Sequence, residues 1–326
     1  MSLVQLPGTD LVVSGLCLGT VSYGTAIPRA DAFQLMDRFH ELGGNFVDTA
    51  NIYGNWVKDV EPGISEKTIG AWITERGNRS QIVVGTKGAH HDLQAKIPRL
   101  AREEINFDLE ASLVNLQTDT IDLYWLHRDD PTRPVEDIID TLDQLEKAGK
   151  IRYYGASNWS TARIAAANSY AAATGKSGFK ADQVLWNVGP LVHQPYGDPT
   201  VDFMSDERFE AHLKTGMAEI PYQSQANGLF QRVHSGALGQ LSQSVRSMYR
   251  ADETQQRYLS MVEIMQETGL SITQVVLGYL RGQPFTTVPI IGSRNLEQLD
   301  DSMSGIESVL TAEQIATIGP APHHFD

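Results

Sequence analysis

The chain has 326 residues, 41% of them hydrophobic, and a formal net charge of −14. That length supports one large domain or two ordinary ones, and the glycine and proline content excludes collagen-like and disordered classes. The acidic balance disfavours nucleic acid and anionic membrane as partners, because both select a basic footprint; any phosphate-bearing ligand needs local positive charge.

The first ten residues, MSLVQLPGTD, lack a basic segment followed by an apolar core, so no secretory signal is expected. No apolar run reaches membrane-spanning length. The single cysteine, Cys17, lies in the apolar run GLCLGT and reads as a small buried hydrophobe. A lone thiol cannot form an internal disulfide, and a cytoplasmic protein is the expectation.

In chain order, QLPGTDLVV places a Pro-Gly turn between two short extended pieces, a hairpin lying outside the main sheet. Eight apolar runs follow, at 15–19, 45–48, 82–87, 121–127, 151–157, 182–187, 217–222 and 287–292. Each precedes a stretch with helical potential. In DAFQLMDRFHELGG, Phe33, Met36 and Phe39 share one face, and Gly43 ends the pattern. In RPVEDIIDTLDQLEKAGK, Val135, Ile138, Ile139, Leu142 and Leu145 form the apolar stripe, with Pro134 at the start and Gly149 at the stop. Strands such as IDLYWL are apolar on both faces, as burial between two layers requires. Eight strand–helix units without a linker predict one (β/α)8 barrel domain over 1–326. The Gly-, Ser- and Gln-rich interval 227–250 is an insertion after the seventh strand, either a lid at the catalytic end or a surface excursion.

Barrel enzymes place their chemistry where strands end. Here Asp48 ends the second strand and leads to Tyr53, Lys87 ends the third, and His127 ends the fourth. Each alone is weak evidence; four on three adjacent strands are specific. A phenol has a pKa of about 10 and is a poor acid at neutral pH. A nearby ammonium is expected to lower that pKa, and Asp48 to pair with Lys87. His127 can donate to an oxygen that gains charge. The set suits protonating a carbonyl oxygen while hydride attacks its carbon, and no side chain supplies hydride, so a cofactor is implied.

FVDTANIYG, GTK, DLYWLH and GASNW, in this order, resemble the aldo-keto reductase superfamily, and the likeness runs from LGT at 18–20 to GSRNLEQLDDS at 292–302. The resemblance implies a catalytic tetrad of Asp48, Tyr53, Lys87 and His127, with the tyrosine as general acid. It also implies an extended nicotinamide cofactor without a Rossmann domain. Ser157, Asn158 and Gln183 match the carboxamide site, and Tyr222 the aromatic that stacks on the nicotinamide. Gly19, Thr20 and Asp48 complete that set. Gln223, Ser224 and Gln225 stand where the family has a common SPL segment near the pyrophosphate. Gly292, Ser293, Arg294, Gln298, Asp301 and Ser302 match the adenosine-phosphate site. Arg294 can pair with a 2′-phosphate, so NADPH (NADP+) is expected over NADH.

The partner implied is a small-molecule carbonyl substrate. Tyr23, Trp56 and Arg128 lie in loops leaving the right strands, and HRDD at 127–130 puts charge beside His127. The substrate is therefore expected to be polar, sugar-like or acidic, with Arg128 touching it; the rival is an Arg128 paired with Asp129 or Asp130 on the rim.

Two other classes compete. A metal-dependent barrel hydrolase would want His-x-His after the first strand, which ends in LGT instead. His90-His91 and His323-His324 are adjacent pairs in loops, and chain neighbours rarely chelate one ion, so no metal is expected. A non-enzymatic reading follows relatives such as potassium-channel β-subunits, which work mainly as nucleotide-holding binding partners; the intact tetrad is compatible with it.

Overall fold

The computed structural model describes residues 3–192 and 198–322, so His323 and His324 lie outside the described residues. Eight parallel strands form one curled sheet: β3 (Cys17–Gly19), β4 (Phe46–Asp48), β5 (Val83–Gly88), β6 (Ile121–Leu126), β7 (Ile151–Ser157), β8 (Ala181–Gln183), β9 (Ala218–Glu219) and β10 (Ile290–Ile291). β10 pairs with β3, which sets the last strand beside the first. The remaining seam, between β9 and the segment entering β10, is stitched by Glu219 N–H to Thr286 O at 2.9 Å, Val288 N–H to Glu219 O at 2.9 Å and Ile290 N–H to Pro221 O at 3.0 Å. This is the expected (β/α)8 fold. The last three strands are shorter than their apolar runs, because the chain leaves regular pairing soon after Gln183 and Glu219.

Alternation along the strands builds two apolar layers. Cys17, Phe46, Leu123, Trp125, Ala218 and Ile290 fill the barrel interior, while Leu18, Val47, Val84, Tyr124 and Leu126 pack outward under the helices. Trp125 fits across the interior because it faces Gly155: a Cβ there would sit 2.5 Å from the indole. The hairpin is present as β1 (Leu3–Gln5) paired antiparallel with β2 (Val12–Ser14). Its Leu6, Leu11 and Val13 join the interior cluster and so plug one end of the barrel.

Helices α1 (Arg29–Glu41), α2 (Ile64–Arg76), α3 (Arg102–Leu116), α4 (Val135–Lys147), α5 (Thr161–Ala173) and α6 (Asp206–Thr215) follow β3 to β8 in turn. Phe33, Met36 and Phe39 of α1 and all five stripe residues of α4 are buried, as the spacing requires. After β9 come α7 (Leu229–His234), α8 (Gln243–Arg246), α9 (Ala251–Thr268) and α10 (Ile272–Arg281), and after β10 come α11 (Leu296–Ser304) and α12 (Ala312–Ile318). The 227–250 insertion is thus a chain of short helical turns. It is anchored by buried Leu229, Phe230, Met248 and Tyr249 and by backbone bonds from Val192 to Met248 and from Arg250 to Pro190, each 2.8 Å. Among the described residues no helix is long and apolar enough to cross a membrane.

Candidate active site

The strand register decides which side chains meet. Gly19, Asp48 and Gly85 lie level, and Lys87 lies level with Trp125 one pleat higher. Asp48 and Lys87 therefore point into the barrel on adjacent strands, offset so that the amine reaches the carboxylate. The Lys87 ammonium donates to Asp48, to the Thr49 carbonyl at 2.8 Å and to the Tyr53 hydroxyl at 3.0 Å. Tyr53 is carried there by the turn after β4, where its N–H bonds Ala50 O at 3.1 Å. Gln183, across the barrel on β8, donates to the other Asp48 oxygen at 3.1 Å. The His127 ring stands 6.0 Å from the Tyr53 ring at 76°. The acid, amine, imidazole and phenol thus converge on one place at the ends of β4, β5 and β6.

Burial sets the protonation states. Asp48 and Lys87 are almost wholly buried. Burial raises the Asp48 carboxyl, and the Lys87 charge opposes that shift. Burial would lower the Lys87 ammonium, but Asp48 and Tyr53 outweigh it and its pKa rises. The expectation that the ammonium lowers the Tyr53 pKa is corrected. Burial pushes the phenol up and Asp48 adds to the push, so Lys87 and Arg128 only moderate a net rise. Tyr53 is accordingly a neutral phenol with its proton in place.

His127 is pulled well below the usual imidazole range by burial, with the neighbouring His90 ring and the Arg128 and Lys87 charges adding to the effect, so it is neutral. Its Nδ1 is buried with no partner among the described residues. An orphaned buried N–H is costlier than an orphaned lone pair, which assigns the proton to Nε2 and makes that atom a donor.

The residues matched to the cofactor site fall into two groups. Around the tetrad, Asn158 (φ 59°) donates to the Ser157 hydroxyl at 2.9 Å, and its Oδ1 accepts from the Tyr222 hydroxyl at 2.7 Å. Ser157 donates to Gln183 O at 3.0 Å. Thr20 is fully buried and donates to Asp48 O at 2.9 Å, while Gly19 lets β3 approach β10, where a Cβ would meet Ile290 at 2.7 Å. Toward α11, the Ser224 hydroxyl is spent on Ile290 O at 2.6 Å. The Gln225 amide bridges to the Ser302 hydroxyl at 3.1 Å, and Asp301 accepts from Thr273 at 2.5 Å. Gln298 caps the Arg294 N–H at 3.0 Å. The Ser293 hydroxyl and the Gln223 carbonyl oxygen are buried without partners among the described residues. Gly292 faces open space and Arg294 is exposed.

The residues matched to substrate separate. Trp56 is exposed on the rim, its ring edge-on to Tyr53 at 6.2 Å. Tyr23 is fully buried among core side chains and its hydroxyl has no partner among the described residues. It lies in the wall and presents no surface to a substrate. Arg128 does not pair with Asp129 or Asp130. Arg163 takes Asp129 through two bonds of 3.0 Å, and Asp130 accepts from Thr132.

Two features were not visible in the motifs. Ala89, at φ 58°, turns the chain after β5 and brings the His90 ring to 4.7 Å from His127. His90 Nδ1 bonds His91 O at 2.8 Å, so it carries the proton; burial and the Arg128 charge lower its pKa to about 4. Behind β8, Asp182 points away from the interior into a buried network. Arg208 binds Asp182, Asp202 and the Trp159 carbonyl. His212 Nε2 lies 3.2 Å from Glu219 and 3.5 Å from Asp182. Burial alone would lower the His212 pKa, but bonding to these two carboxylates pushes it up to about 10. This network is an outward-facing brace between β8, β9 and α6.

The sequence matches the Aldo/keto reductase family over residues 15–320. It is 28% identical to norsolorinic acid reductase A of Aspergillus parasiticus, over 97% of this chain and 79% of that protein. It is also 28% identical to an aryl-alcohol dehydrogenase [NADP(+)] of Phanerodontia chrysosporium, over 95% and 82%. The fold matches the crystal structure of a thermostable aldo-keto reductase in complex with the inhibitor epalrestat, with a TM-score of 0.70, 23% identity and 98% of each chain covered. The chain belongs to the aldo-keto reductase family.

Proposed function

We propose that the protein is an NADPH-dependent carbonyl reductase with Tyr53 as general acid, acting on a polar or sugar-like aldehyde. The observation that carries this is the Lys87 ammonium 3.0 Å from the Tyr53 hydroxyl, itself balanced by buried Asp48. When Tyr53 gives its proton to a carbonyl oxygen, the phenolate left behind is held by that ammonium. The Lys87 charge does not have to be created during the reaction, because Asp48 keeps it in place beforehand. His127 Nε2–H offers the same oxygen a hydrogen bond.

The residues present fit a nicotinamide dinucleotide phosphate. The orphaned Ser293 hydroxyl, the exposed Arg294 and the start of α11 form a donor set for a phosphate. Tyr222, held by its bond to Asn158, supplies an aromatic face, and Ser157, Asn158 and Gln183 supply amide and hydroxyl groups. NADPH bound there supplies the hydride. An NADP(+)-dependent relative supports the phosphorylated cofactor. Strands from both ends of the chain share one sheet, which supports a single domain over 1–326, and a cytoplasmic site agrees with a lone, buried cysteine.

Tyr53→Phe removes only the acidic hydroxyl. It is expected to lower turnover of a simple aldehyde by about 100- to 10,000-fold while NADPH still binds, as read by quenching of protein fluorescence. Near-full turnover in that variant would refute the role.

A further inference from the structure

Arg128 follows His127 directly and folds back on it, its Nη1 donating to the His127 carbonyl at 2.9 Å. Its Nε donates to the Thr200 hydroxyl at 2.9 Å, and Thr200 is fixed in turn by Asp198, which accepts from its hydroxyl at 2.6 Å and its N–H at 2.9 Å. A guanidinium has five N–H groups. Two are used, so the plane is locked while three, on Nη1 and Nη2, have no partner among the described residues.

Among the described residues no carboxylate forms a direct ion pair with that fork, although the Asp198 carboxylate behind Thr200 feels its charge. Asp129 belongs to Arg163, Asp130 to Thr132, and Asp198 is turned to Thr200. The other charges of the mouth are spent: Lys87 is matched by Asp48. His90 stands between Arg128's neighbour His127 and His91, and both His90 and His127 are neutral. A half-buried guanidinium held rigid beside the tetrad, in a chain of net charge −14, is built to meet an anion end-on.

We propose that this mouth selects carbonyl substrates that also carry a carboxylate, which the unpartnered N–H groups on Nη1 and Nη2 of Arg128 grip while the carbonyl lies at Tyr53 and His127. This rests on the carbonyl-reductase reading above and deepens it. Reduction adds hydride to the carbonyl carbon and a proton to its oxygen; the carboxylate is a handle and leaves unchanged in the hydroxy-acid product.

The test pairs 4-carboxybenzaldehyde with its methyl ester, methyl 4-formylbenzoate, in the wild type, Arg128→Gln and Arg128→Lys. The wild type is expected to favour the acid. Arg128→Gln should lower the acid-to-ester ratio of kcat/KM by roughly tenfold or more, chiefly through KM, and Arg128→Lys should restore part of it. Calorimetric binding of the same two compounds, with and without NADPH, reads recognition apart from turnover, and the acid should lose at least about tenfold in affinity in Arg128→Gln. An acid-to-ester ratio and acid affinity equal in wild type and Arg128→Gln would overturn the proposal even in an active reductase. An Arg128-dependent acid affinity without turnover would sustain it and sink the reductase reading instead.

Discussion

Replacing Lys87 by methionine tests how far the buried Lys87–Asp48 ion pair holds the top of the barrel together. Lys87 and Asp48 are 1% and 2% exposed. Removing the ammonium leaves the Asp48 carboxylate buried with a single side-chain donor, Gln183 Nε2 at 3.1 Å. A buried charge stripped of its partner costs about 3–5 kcal/mol. For a chain of 326 residues the unfolding entropy is about 0.7 kcal/mol/K, so Tm should drop by about 4–7 °C. Lys87→Met/Asp48→Asn removes both charges and keeps an acceptor for Gln183. It should recover most of that loss, with a coupling of about 2 kcal/mol or more, while turnover stays abolished. The assay is thermal and urea unfolding of the wild type, both singles and the double, followed by circular dichroism. Equal destabilisation in the Lys87→Met single and the double would refute the reasoning, because packing rather than an unpaired charge would then be the source.

Arg294→Ala should weaken NADPH binding roughly tenfold or more and leave NADH within about twofold, since only the 2′-phosphate is matched to that side chain; titration of protein fluorescence with each cofactor checks it, and an equal loss for both would count against the assignment. The buried His212 predicts a pH dependence. Its folded pKa, about 10, is above its unfolded value of about 6.5, so the folded state holds the extra proton. That stabilisation is complete below about pH 6.5 and is lost as pH rises toward 10, at up to about 1.4 kcal/mol per pH unit. His212→Gln should flatten the fall of Tm across that window, and parallel curves for the two proteins would show that the imidazole is not the group responsible.

Periodicity was enough to read the strands, the apolar stripes of α1 and α4 and the closure of eight units into a barrel, because each depends on spacing within a short segment. The placement of three of the candidate catalytic side chains is legible in the same way. Strand ends are marked in the sequence, and parity along β4, β5 and β6 puts Asp48, Lys87 and His127 on one side. What spacing could not show depends on contacts between distant segments. The Tyr53 pKa rises on balance because burial in the assembled barrel outweighs the lowering effect of the Lys87 charge. The sequence left open whether Arg128 meets a substrate or pairs with Asp129 or Asp130; Arg163 reaches Asp129 across 34 positions and leaves the guanidinium to Thr200. Tyr23 lies inside the wall, and His90 swings onto His127 through a left-handed turn at Ala89. Local pattern determines which face a side chain takes, whereas burial, charge and partnership belong to the space that the assembled barrel encloses.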